Sequence, residues 1–214
     1  MSWLRRSEAP HRPAGGQTPP PRGDPPSVVH DAPALASALE AFDADHPVRL
    51  LDLGPALPAN LGFYDCFTTG VRIAHLLRDL PPVDPEKPDD ASFVSILDRI
   101  EPSDHTRFGL ILAWNTLDYL TAERAALLSH HLAAVADHGA LIHAMTFTAG
   151  TIPASPSGYE IVEPGRLIYR HADQPAITAP DIPPADAERR LGPFRVTRSI
   201  LLRHGVREFV GILG

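Results

Sequence analysis

Between residues 34 and 147, short unbroken apolar runs alternate with segments whose apolar positions recur at helical spacing. ALASALEAF places Leu35, Leu39 and Phe42 on one helical face. VRLLDLG, bounded by Pro47 and Gly54, has the length and apolarity of a buried strand. The segment from about Pro58 to Phe67 reads as a short helix that Thr68, Thr69 and Gly70 end. VRIAHLL is the next strand candidate. After the proline-punctuated loop DLPPVDPEKPDD, SFVSILDRI sets Phe93, Ile96, Leu97 and Ile100 on one helical face. FGLILAW is fully apolar and reads as a strand covered on both sides. Thr121 caps the helix that follows, with Glu123 and Arg124 in its first turn, and His138-Gly139 ends it before the strand ALIHAMTF.

Beyond Phe147 the texture changes. TAGTIPASPSG is a loop, and YEIVEPGRLIYRH is a hairpin turning at Glu163-Pro164-Gly165. Pro184 opens a short helix, PADAERRL, closed by Gly192. FRVTRSILLRHGVREFVGIL gives two strands around Arg203-His204-Gly205, a connection short enough only for antiparallel pairing. Strands alternating with helices, then a terminal hairpin, specify an α/β layered fold with a mostly parallel sheet and one antiparallel edge.

Composition separates a tail from this domain. PHRPAGGQTPPPRGDPP is rich in residues that cannot be ordered cheaply, so residues 1–33 are expected to be a disordered tail and 34–214 the folded domain. A net charge of −7 gives no basic footprint for nucleic acid or an anionic membrane. The lone cysteine, Cys66, suits a reducing cytoplasm. No apolar run approaches the ~20 residues of a membrane span. MSWLRRSEAPHRP has charge without the apolar segment of a secretory signal. The expectation is a soluble cytoplasmic protein. No nucleophile-elbow serine and no phosphate-binding loop occur, which removes the obvious hydrolase and phosphoryl-transfer chemistries. His130, His131 and His138 lack a third ligand at suitable spacing, so no metal site is expected.

Four stretches resemble the class I S-adenosylmethionine-dependent methyltransferases: VRLLDLG as first strand and cofactor loop, FGLILAWNTLDYL as fourth strand and polar loop, HGALIHA as turn and fifth strand, and the terminal hairpin. The resemblance spans roughly residues 34–214. It implies a Rossmann-like three-layer sandwich in which the third strand is absent or vestigial, because SFVSILDRIEPSDHTR reads as helix and loop. It also implies S-adenosylmethionine as cofactor and an acceptor, small molecule or protein, that the sequence does not name.

The resemblance places Asp52 near the ligand's amino-acid part, with Gly54 opening the loop and Asn60 and Gly62 adding polarity and room. On the residues alone, Asp52 equally well caps the next helix, and Gly54 only makes a tight turn. Pro55 and Pro58 each remove an N–H that such a loop normally offers. The ribose-binding acid of the family falls near Ala74-His75-Leu76, where His75 is either a donor to a hydroxyl or a core histidine. Asp79 is the nearest carboxylate. The adenine-binding acid has no clear counterpart near Asp98, Glu101 and Asp104. After the fourth strand, Trp114 is expected to wall the pocket, Asn115 to hydrogen-bond within it, and Asp118 to orient an acceptor or take its proton. Tyr119 is expected to pack in the core. Two functions follow: a methyltransferase, or a non-catalytic methyltransferase-like domain kept as an interaction module.

Overall fold

Proline at the first helical position, where its missing N–H would be unpaired anyway, starts α-helices at Pro33, Pro58 and Pro184. The computed structural model describes residues 28–80, 91–101, 107–156, 158–170, 175–203 and 205–214. Its first half runs β1 (Val28–Asp31), α1 (Pro33–Leu39), β2 (Val48–Asp52), α2 (Pro58–Tyr64), β3 (Thr68–Ile73), α3 (Ala91–Leu97), β4 (Phe108–Trp114) and α4 (Ala122–Val135). Then come β5 (Ala136–Phe147), β6 (Thr151–Pro153), β7 (Gly158–Glu163), β8 (Arg166–Arg170), β9 (Ala176–Thr178), α5 (Pro184–Leu191), β10 (Phe194–Leu201) and β11 (Val206–Leu213).

The main sheet has the order β10-β11-β5-β4-β2-β3. Strands β3, β2, β4 and β5 run parallel, while β11 lies antiparallel to both β5 and β10. The central strands β2 and β4 are buried almost throughout, as their unbroken apolarity requires. On one face Leu51, Ile111 and Ile142 pack with Phe93 of α3, Leu128 and Leu132 of α4, and Leu191 of α5. On the other face Leu50, Leu110 and Leu112 pack with Leu35 of α1, Tyr64 of α2 and a second, three-stranded sheet of order β1-β8-β7. The architecture is mixed α/β, a central sheet covered on both faces. Beyond β3 no further strand pairs among the described residues. There the Arg72 Nε donates to the Arg99 carbonyl at 3.1 Å instead.

Five local expectations change; in one, His138-Gly139, expected to end α4, lie inside β5, which begins at Ala136 directly after Val135. Val28–Asp31, assigned to the tail by composition, form β1, which pairs antiparallel with β8; residues 1–27 lie outside the described residues. Thr68, Thr69 and Gly70, expected to end a helix, begin β3, because α2 stops at Tyr64 and the chain is already extended there. His75, Leu76 and Leu77 fall outside that strand: His75 takes φ +37° and a 3₁₀ turn follows at Leu76–Asp79. The loop after Phe147 contains β6, paired with a β9 that carried no sequence signal.

A buried polar knot ties α1 to the sheet centre. Glu208 of β11 is fully buried, and its carboxylate accepts from the Ala34 N–H at 3.0 Å and the Leu35 N–H at 3.4 Å. The same carboxylate faces His143 Nε2 of β5 at 2.9 Å. The interaction pairs a buried carboxyl group with donors that would themselves be unsatisfied at the start of a helix.

Candidate functional site

The strand order reverses between β2 and β4: one crossover leads outward to β3, the other away to β5. In open parallel sheets that reversal leaves a crevice at the carboxyl ends of the two strands, where ligands bind. Asp52 and Gly54 stand at the end of β2; Trp114 and Asn115 stand at the end of β4. The fold therefore brings these four predicted residues together, and α2 adds Asn60.

What fills that crevice is protein. Asp52 is 1% exposed, and its Oδ1 accepts from the Gly54 N–H at 2.8 Å and from the Trp114 indole N–H at 2.6 Å. Its Oδ2 accepts from the Tyr64 hydroxyl at 2.7 Å. Burial pushes the Asp52 carboxyl above its ordinary range, against the pull of these donors. Burial and the neighbouring carboxylate hold the Tyr64 hydroxyl protonated far above its usual range. Trp114 adopts φ +48°, a left-handed conformation costly for a bulky residue, and this turns its indole onto Asp52. A Cβ on Gly54 would lie 2.8 Å from the indole, so the bareness of this glycine makes room for Trp114. Gly54→Ala is accordingly expected to cost about 1–3 kcal/mol of stability through overpacking, read as a lower urea midpoint.

The β7–β8 hairpin completes the filling. Tyr159 of β7 stacks on Trp114 with ring centroids 5.3 Å apart and planes 10° apart, and on Tyr169 of β8 at 4.8 Å. Asn60, 2% exposed, bridges α2 to β7: its Nδ2 donates to the Tyr159 carbonyl at 2.8 Å, and its Oδ1 accepts from the Ile161 N–H at 2.8 Å. Gly158 packs so tightly on the first loop that a Cβ there would meet Leu57 at 2.9 Å and Pro55 at 3.1 Å. Pro55 and Leu57 are thus part of an apolar seat for the hairpin.

The remaining candidates lie around this plug. His75 is two residues past the end of β3, and no carboxylate occupies Ile73, Ala74 or His75. Asn115 is 1% exposed beside Asp118 and Tyr119, and its Nδ2 closes no well-aligned hydrogen bond among the described residues. Asp118 is 7% exposed and accepts from the Phe147 N–H at 3.2 Å. Burial raises its carboxyl to about 8, opposed by the Phe147 N–H, Arg190 and Asn115. The Tyr119 hydroxyl donates to the Pro153 carbonyl at 3.0 Å, and burial raises its pKa above the ordinary range. Asp118 and Tyr119 line a cavity of about 490 Å³ that runs from the Leu76–Asp79 turn to the start of α4. No group of three or more His, Cys, Asp or Glu suited to a metal ion occurs among the described residues.

Sequence reasoning missed Tyr64, Tyr159 and the His143–Glu208 pair. Glu208 carried a signal: a lone acid inside the apolar strand VREFVGIL is the kind of residue that is buried only with partners. Tyr159 carried none, because its partner Trp114 is distant in the chain.

No family model and no curated relative matches the chain. Among solved structures it is similar to a 1,6-didemethyltoxoflavin N1-methyltransferase from Burkholderia thailandensis, crystallised with 1,6-didemethyltoxoflavin and S-adenosylhomocysteine. That match has 13% identity, covers 85% of this chain and 76% of the other, and has a TM-score of 0.46. It is also similar to the glycopeptide N-methyltransferase MtfA complexed with S-adenosylmethionine, at 11% identity, covering 92% and 100% of the two chains, with a TM-score of 0.46. The CcbJ methyltransferase from Streptomyces caelestis gives 11%, 84% and 94%, and 0.43 in the same order. All three are methyltransferases. Likeness at this level assigns no residue and no activity to this chain. No helix among the described residues is long and apolar enough to cross a membrane.

Proposed function

We propose that this chain is a methyltransferase-like domain that has given its cofactor crevice to its own side chains and works as a binding module. The observation that carries the proposal is the Trp114 indole, seated against Gly54, bonded to Asp52 and stacked on Tyr159. The same residues, as they stand, do not fit S-adenosylmethionine. Both oxygens of Asp52 and the space at Gly54 are used, Pro55 and Pro58 offer no N–H, and the end of β3 has no acid for ribose hydroxyls. On this reading the third strand of the family is missing, and β3 is the edge of the sheet. A net charge of −7 supports partners other than nucleic acid, and the single cysteine supports a cytoplasmic setting.

A second reading is a methyltransferase of unnamed acceptor, in which Trp114 and Tyr159 leave the crevice before cofactor enters. The φ of +48° at Trp114 favours it, since strain at a strand's carboxyl end relaxes when the residue swings out. Titration calorimetry and melting curves with S-adenosylmethionine and S-adenosylhomocysteine separate the two. The expected result at about 1 mM ligand is no heat and no shift, whereas a ligand at a hundred times its Kd stabilises by about 2.7 kcal/mol. Saturable binding of either compound establishes the second reading.

A further inference from the structure

We infer that the cavity between the Leu76–Asp79 turn, the start of α4 and the β6–β9 pair binds a small organic anion with a flat apolar body, such as an aromatic carboxylate. This goes beyond the binding-module reading, because the described lining residues do not include Asp52, Gly54, Trp114 or Tyr159.

The volume, about 490 Å³, is that of a small-molecule site. Leu77, Leu80 and Ile177 give it apolar walls suited to a ring. Among the described lining residues its charge is one-sided. Arg78 is exposed at the mouth, and Arg124 is buried in the wall with its guanidinium 5.4 Å from the centre of the Phe93 ring. Asp118 is the one carboxylate among the described lining residues, and with its pKa at about 8 it is mostly uncharged at neutral pH. Among the described lining residues Arg78 is the exposed guanidinium, and Asp118 carries little negative charge at pH 7. The positive end of α4, a helix of 14 residues capped by Thr121, adds to that field. Guanidinium groups over apolar walls select a carboxylate on a ring over inorganic phosphate, which has no body to bury, and over a neutral ring, which does not use the charges.

The charge state of Asp118 supplies a signature that a merely apolar cleft lacks. The groups that face it are the Phe147 N–H of β5, Asn115, Arg190 of α5, Tyr119 and Tyr159. As Asp118 ionises through pH 8 it repels the anion, so affinity falls with rising pH.

The test is saturation-transfer NMR and calorimetry on the full chain with 2-naphthoate, using 2-naphthamide and inorganic phosphate as controls. Naphthoate is expected to bind saturably and about tenfold or more tighter than the amide, with phosphate failing to displace it. Arg78→Ala is expected to weaken naphthoate about fivefold to tenfold and leave the amide unchanged. Ser155→Trp, at the exposed rim, is expected to block both. Asp118→Asn is expected to keep the binding and abolish its decline above pH 8. Arg78 and Ser155 are exposed, so unchanged melting temperatures verify that those two variants fold. Absence of naphthoate binding, equal binding of acid and amide, or binding that survives both Arg78→Ala and Ser155→Trp overturns the inference.

Discussion

Asp52→Ala is expected to remove about 3–5 kcal/mol of folding stability, a large share of the roughly 5–15 kcal/mol that holds a domain together. The carboxylate is 1% exposed and accepts from three donors: the Gly54 N–H, the Trp114 indole and the Tyr64 hydroxyl. Alanine leaves all three buried without an acceptor, each at about 1–3 kcal/mol and less than additively, because they share one site. The urea midpoint should fall by about 1 M or more. The sign of the change is informative. A carboxylate held in a crevice for a ligand costs stability, so its removal is neutral or stabilising. A stabilised Asp52→Ala protein would show that Asp52 serves a ligand and would sink the reading of the crevice as filled.

Asp118 gives the second large effect, through pH. Its folded-state pKa is about 8, above the unfolded value of 3.8, so the native state holds this proton more tightly. The stability it contributes is fully present below pH 4 and is lost as pH rises through 4 to 8. The shift corresponds to about 6 kcal/mol as an upper bound, and about 2–3 kcal/mol is expected once the native state relaxes around the charge. Asp118→Asn keeps an acceptor for the Phe147 N–H and cannot ionise. Chemical denaturation at several pH values should show the two proteins converging in the acid limb, with the variant more stable at pH 9. Parallel stability curves for the two proteins would show that Asp118 is an ordinary carboxylate.

The sheet was legible in the sequence where burial on both faces enforces unbroken apolarity, as in β2 and β4. It was less legible at the margins. The β1 strand is a four-residue edge strand beside a proline-rich segment, and only its pairing with β8 makes it a strand. The start of β3 was hidden because Thr68, Thr69 and Gly70 suit a turn as well as a strand, and alignment on β2 decides. The crevice residues were found because strand ends in this kind of sheet face a common space. Their use was not legible. Whether Asp52 meets a ligand or an indole depends on Trp114, which is 62 positions away, and on Tyr159, which reaches the site only through the β7–β8 hairpin.

The position of β11 has a consequence for synthesis. Strand β11 is not at the edge of the sheet; it is inserted between β5 and β10, and its Glu208 holds the first turn of α1 from 174 residues away. A ribosome making this protein presents α1 early, but the partner for its Ala34 N–H emerges only when residue 208 clears the exit tunnel. Until then the edge of β5 that β11 covers is bare, at a translation rate of about 5–20 residues per second. Completion of the sheet therefore waits for β11, and the Glu208 anchor of α1 is missing while all the residues between them are made.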